Sequence, residues 1–196
     1  TLSLHDALPI LALWLHYLGA KVIGLSKDIP TQPSHWEYLD LPIVSEVGDI
    51  RSQECIEDVI NKYQPDIVFH LAAQALVRYS YEHDIETFTT NVIGTVNMLH
   101  ATLKSPTVKA FVNITSDKAY ENKEWIFGYR ENDPMGGYDP YSASKGCAEL
   151  VTSCYRNSYF QHTDKLLASA RAGNVIGGGD WAADRLVPDI FKAAGS

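Results

Sequence analysis

The sequence predicts an α/β protein built on a parallel, doubly wound, Rossmann-like sheet. Three observations carry that reading. A short, continuous apolar run at residues 67–73, the pattern of a strand covered on both faces, is followed by a further buried strand at 108–114 and another strand at 166–171. Between the first two, Ile85, Phe88, Val92, Val96, Leu99 and Leu103 step by three and four, as one face of a helix does. Polar residues follow Val47, Ala73, Ile114 and Arg171 at once, so they converge where such sheets bind ligands, beyond the carboxyl ends of the strands.

Taken in order, residues 1–10 hold neither a basic stretch nor a small-residue cleavage site, so they are no signal peptide. They are expected to be foreign to the native protein. Residues 11–19 read as an apolar helix closed by Gly19, and residues 20–25 as a short strand. Helix, glycine, strand is the second half of a βαβ unit, so the sheet is expected to lack its first strand and glycine-rich turn. Pro30, Pro33 and Pro42 mark 26–42 as a loop. A strand over 43–47 runs into Gly48, and Ser52 caps a helix with Ile56, Val59, Ile60 and Tyr63 on one face. Gln64 and Pro65 break it. Asp84 opens the long striped helix, and residues 119–139 form a polar, aromatic loop long enough to carry function. A helix over 141–159, a glycine-rich loop over 173–183 and a helix over 184–194 complete the chain.

Composition narrows the partners. Sixteen basic residues against 24 acidic ones give a net charge of −8, which argues against nucleic acid or an anionic membrane. No apolar run approaches the ~18 residues that span a bilayer. Cys55, Cys147 and Cys154 form no CxxC pair and are odd in number, which points to a reduced, cytoplasmic setting. The seven histidines show no metal-ligand spacing, so no metal is expected, and His70 reads as a structural histidine inside a strand.

The chemistry gathers at two places. Tyr141 and Lys145 are four apart, which stacks them on one helical face. An ammonium beside a phenol favours the phenolate, and a lysine there can also hold ribose hydroxyls. The alternative is a tyrosine that packs a helix start beside a solvated lysine. Thr115, Ser116, Asp117 and Lys118 leave a strand together: the hydroxyl can bond a substrate oxygen, Asp117 can donate a proton and Lys118 can accept one. A plain turn is the competing reading. Leu71, Ala72, Ala73 and Gln74 end a strand with small residues that let a flat cofactor approach. Asp49, beside Ile50, could accept from an adenine amino group, and Asn91 could brace the strand ends. Asn174, with Arg185 and Leu186 at a helix start, offers an amide and a guanidinium to an anionic, hydroxyl-rich ligand.

Together these residues resemble the extended short-chain dehydrogenase/reductase family. The stretches 113–118, 121–125, 128–132, 135–150 and 171–189 are similar to the members that dehydrate CDP-glucose, and Gly136 through Ser142 is the most specific of them. The resemblance covers residues 11–194. It implies a lyase that uses NAD to turn CDP-D-glucose into CDP-4-dehydro-6-deoxy-D-glucose, for the deoxysugars of lipopolysaccharide. It also implies an NAD-binding domain over 11–172, the start of a substrate-binding domain over 173–196, and a homodimer or higher homo-oligomer.

In that family's chemistry Tyr141 takes the 4-hydroxyl proton, Lys118 acts at C5 and Asp117 at the 6-hydroxyl. Ser116 bonds the C4 oxygen and Lys145 the nicotinamide ribose. Cofactor contacts would come from Asp49, Ile50, residues 71–74, Asn91, Thr115, Tyr141 and Lys145. Substrate contacts would come from Ser116, Asn174, Arg185 and Leu186. The chain departs from the family pattern in lacking the glycine-rich turn that cradles the pyrophosphate. It is therefore expected to bind NAD poorly and turn over little. A nucleotide-sugar 4-epimerase and a non-catalytic nucleotide-binding module are the competing readings.

Overall fold

The structure, a computed structural model, describes residues 4–29, 31–175, 181, 184 and 186–194, with the side chains of 4–8 excepted. Five parallel strands form two sheets rather than one. β1 (Ile23–Ser26) pairs with β2 (Val44–Val47), and β3 (Ile67–His70), β4 (Ala110–Ser116) and β5 (Leu166–Ala172) form the second sheet in that order.

Between the sheets lies a cleft of about 500 Å³, lined by β1 and β3 along their length. Leu11 and Leu15 of α1 (Leu4–Tyr17) and Ile50, Ile56 and Met98 also face it. Among the described residues neither β1 nor β3 pairs with a further strand on that side. The single sheet expected from sequence is thus divided at the place where the first strand of a doubly wound fold belongs.

Helices follow the strands in alternation: α2 (His35–Leu39), α3 (Gln53–Tyr63), α4 (Val77–Glu82), α5 (Asp84–Phe88), α6 (Gly94–Lys104), α7 (Pro140–Ser158) and α8 (Leu186–Ala194). Ser52 caps α3 as predicted, its hydroxyl accepting from Cys55 N at 3.2 Å. The core joins Ile56 and Ile60 of α3, Met98 and Leu99 of α6, and Phe111 of β4, with Val151 and Tyr155 of α7 packed beside it. Three helices therefore press on one face of the second sheet. The opposite face is bare at Ile67 (53% exposed), Phe69 (36%) and Leu166 (71%), against the expectation that these strands are covered on both sides.

The long helix predicted from Asp84 is interrupted. α5 passes into a π-helical turn, Thr89–Ile93, and then into α6. Such a bulge is frequent at functional sites, and this one carries the buried Asn91. None of the described helices is long and apolar enough to cross a membrane.

Candidate active site

The start of α7 is fixed by its own sequence. Asp139 is the N-cap, and its carboxylate accepts from Ser142 N at 2.9 Å and Ser142 Oγ at 2.6 Å. Pro140 takes the first helical position, where a missing N–H costs nothing. Gly137 lets the incoming chain cross close over this turn, since a Cβ there would lie 2.4 Å from Ser142 Cβ and 2.6 Å from Ala143 N. Tyr141 N then donates to Ser80 Oγ of α4 at 3.2 Å.

Tyr141 is fully buried (0% exposed). It packs with Leu71 and Ala75, and Ala73, Ile114, Ala172 and Val175 border the same cluster. Those neighbours lie at or just beyond the carboxyl ends of β3, β4 and β5, so the cluster that holds Tyr141 sits at the three strand ends. Lys145, one turn further, is also buried. Burial pulls its ammonium down to about 8, with the Glu149 carboxylate opposing. His70, at the end of β3, is pushed to about 3 by burial and by Lys145. Its Nε2 lies 3.1 Å from Thr95 Oγ1, which gives its own proton to Asn91 O, so Nε2 of the neutral ring is the donor.

Ser116 closes β4 as a buried residue. Its Oγ donates to Asp117 Oδ1 at 3.1 Å and accepts from Lys118 N at 3.2 Å. The turn Asp117–Ala119 packs against α7, with Asp117 and Lys118 exposed. The site thus has a buried side carrying Tyr141 and Lys145 and a wet side carrying an acid and an amine. Such a set can move protons on and off a bound polyol.

Several predicted ligands are engaged elsewhere. Asn91 is wholly occupied as a brace: Oδ1 accepts from Gln74 N at 2.8 Å, and Nδ2 donates to Gln74 O at 2.9 Å and Ser144 Oγ at 2.8 Å. The Gln74 side chain bonds Thr87 Oγ1 at 2.8 Å. The Thr115 hydroxyl donates to Glu149 Oε1 rather than into the site. The Asp49 carboxylate is held by Arg51 through Nε at 2.9 Å and Nη2 at 2.5 Å, which keeps it below the usual range although burial opposes. Ile50 belongs to the core against Gly94, where a Cβ would meet Ile50 Cδ1 at 2.5 Å.

Leu71 also packs inward, while Ala72 and Ala73 remain the small residues at the end of β3. Asn174 is exposed just beyond β5, Leu186 is exposed at the start of α8, and Arg185 lies outside the described residues. Sequence reasoning missed Glu149 and Arg171, which meet at 3.2 Å beneath the site. The signal was present, because Glu149 follows Lys145 by four on the same helical face.

The family model for GDP-mannose 4,6 dehydratase matches residues 24–174. A CDP-glucose 4,6-dehydratase of Salmonella typhimurium is 56% identical over 190 residues, 93% of this chain and 53% of that protein. The chain thus spans about half the length of this curated relative. The epimerase Mth375 of Methanothermobacter thermautotrophicus superposes with a TM-score of 0.81 at 26% identity, covering 95% of this chain and 54% of that one. The UDP-glucose 4-epimerase of Thermus thermophilus, solved as a complex with NAD, gives 0.74 at 25% identity, with 90% and 55% covered.

Proposed function

The chain belongs to the GDP-mannose 4,6 dehydratase family, and on that premise we propose that its protein is an NAD-dependent lyase that dehydrates CDP-D-glucose across C5 and C6. One observation carries the reading: the Tyr141–Lys145 pair and the Ser116–Asp117–Lys118 turn border the same strand ends. The relation to a CDP-glucose 4,6-dehydratase supports the base and the sugar.

The residues suit the nicotinamide end of NAD, with a buried lysine and a buried tyrosine whose cluster is edged by the small side chains of Ala73 and Ala172. When bound, NAD supplies a hydride acceptor for C4 and the hydride that later goes to C6. Lys145 holds the ribose hydroxyls, and its charge favours the Tyr141 phenolate. Tyr141 takes the proton of the sugar 4-hydroxyl, and the Ser116 hydroxyl turns from Asp117 to the C4 oxygen. The ketone at C4 acidifies C5, whose proton goes to Lys118. Asp117 protonates the 6-hydroxyl, which leaves as water, and Lys118 returns a proton to C5 as C6 is reduced. Residues 173–196 begin the substrate-binding region, and the full-length protein acts as a homodimer or higher homo-oligomer.

A 4-epimerase is the second reading, favoured by the solved epimerases of the same fold. It eliminates no water and gives Asp117 and Lys118 nothing to do. The test is incubation of the full-length protein with NAD and CDP-, UDP-, GDP- or dTDP-glucose, with products identified by mass and by NMR. A product short of one water from CDP-glucose is expected, with a drop of about 10³-fold in Tyr141→Phe. Epimerised sugar without water loss overturns the proposal.

A further inference from the structure

Among the described residues, Glu149 is the one buried carboxylate next to this site that the chemistry above leaves without a role. It sits one turn beyond Lys145 on α7 and is 6% exposed. Its Oε1 accepts from Thr115 Oγ1, and its Oε2 accepts from Ser169 Oγ at 3.0 Å and Arg171 Nη2 at 3.2 Å. These partners come from two adjacent strands, where Thr115 of β4 pairs with Arg171 of β5 and Asn113 with Ser169. Arg171 reaches onward to Glu131 O at 2.9 Å and lies 4.7 Å over the Tyr120 ring. One carboxylate therefore ties α7, both strand ends beside Ser116, and the loop that leads into Asp139.

We propose that Glu149 is a positioning residue for the Tyr141–Lys145 pair: clamped by Thr115, Ser169 and Arg171, it keeps a fixed negative charge one turn from the buried Lys145 ammonium. The inference rests on reading Tyr141 and Lys145 as the proton-transfer pair. Among the described residues, Lys145 has Tyr141 and Glu149 four positions to either side on its own helix, and it interacts electrostatically with Glu149 and with the neutral His70 of β3. The groups facing Glu149 are Arg171 of β5 and, through it, Tyr120. Burial pushes the Glu149 carboxyl up, but the hydrogen bonds from Arg171, Thr115 and Ser169 outweigh it and hold the group below its ordinary value. It thus stays ionised throughout the range in which Lys145 titrates. Without that charge the buried ammonium gives up its proton at lower pH, and the phenol loses the cation that favours its ionised form.

The test uses the full-length protein with lysine labelled at Cε. The Lys145 resonance is assigned by its loss in Lys145→Arg and followed through a pH titration by NMR. In Glu149→Gln the Lys145 midpoint should fall by about one pH unit or more, with the alkaline limb of kcat moving down alongside it. Glu149→Asp should recover at least half of both shifts. If Glu149→Gln fails to fold with Arg171 unpaired, Glu149→Gln/Arg171→Gln is compared with Arg171→Gln alone, and the same fall is expected between those two. A midpoint that loss of the Glu149 carboxylate leaves unchanged in a folded protein overturns the inference. The NMR arm needs no substrate: a wild-type enzyme that releases no water refutes the dehydratase reading, while the Lys145 shift still decides the role of Glu149.

Discussion

Asn91 and Ser144 are joined by a buried hydrogen bond of 2.8 Å that runs from the π-helical turn to α7. Ser144 in turn donates to Tyr141 O at 2.6 Å, so the brace beginning at Gln74 ends on the backbone of the phenol. Replacing Asn91 with Ala leaves Gln74 N, Gln74 O and Ser144 Oγ short of a partner at buried or part-buried positions. Chemical denaturation should report a loss of roughly 3 kcal/mol. A loss below about 1 kcal/mol would mean that the brace is dispensable.

Lys145 is held at a cost to the fold. Its folded value of about 8 lies below its ordinary 10.5, so between those values the folded chain has lost a proton that the unfolded chain keeps. Stability therefore climbs with pH across that window, and the whole penalty is present below about pH 8. Lys145→Met should stabilise the protein at pH 7 by about 3 kcal/mol while lowering turnover at least about 10²-fold. Melting curves and initial rates on the full-length variant check both halves. A destabilised Lys145→Met would show that the ammonium has partners worth more than its hydration.

His70 sets an acid limit. Its folded value of about 3 lies below the ordinary 6.5, so as pH falls between them the unfolded chain takes up a proton that the folded one refuses. Stability is lost across that range, by roughly 3 kcal/mol at pH 4 from this residue alone. His70→Gln, which can still donate to Thr95, should flatten the acid side of the stability curve. An unchanged slope would assign the acid sensitivity to other groups.

The 196-residue chain should bind NAD far more weakly than the full-length protein, because its sequence holds no GxxGxxG turn for the pyrophosphate. Calorimetric titration of NAD into each measures the difference. Dehydratase turnover by the chain at the rate of the full-length protein would refute the expectation.

What the sequence made legible was whatever local pattern dictates. The cap at Ser52, the runs that became β3, β4 and β5, and the shared face of Tyr141 and Lys145 all depend on neighbours a few residues away. The misses are long-range. Nothing within ten residues of Thr115 announces that its hydroxyl belongs to Glu149, 34 positions on. The π-helical turn does not interrupt the apolar spacing of residues 85–103, so the helix read as continuous. Asp49 read as a ligand because its claim by Arg51 depends on a side chain folding back over two residues, a matter of rotamer rather than pattern. Whether the bare face of β3 is covered depends on which helices come to rest there, which strand hydrophobicity does not encode.

The cleft between β1 and β3 has a practical consequence for anyone handling this polypeptide. Two ribbons of amide and carbonyl groups, flanked by Leu11, Ile50 and Met98, look across it at each other without touching. Each is a ready template for any extended stretch of protein that drifts near, including one from a sister molecule. Concentrating the sample, rather than warming it, should be what first turns it cloudy.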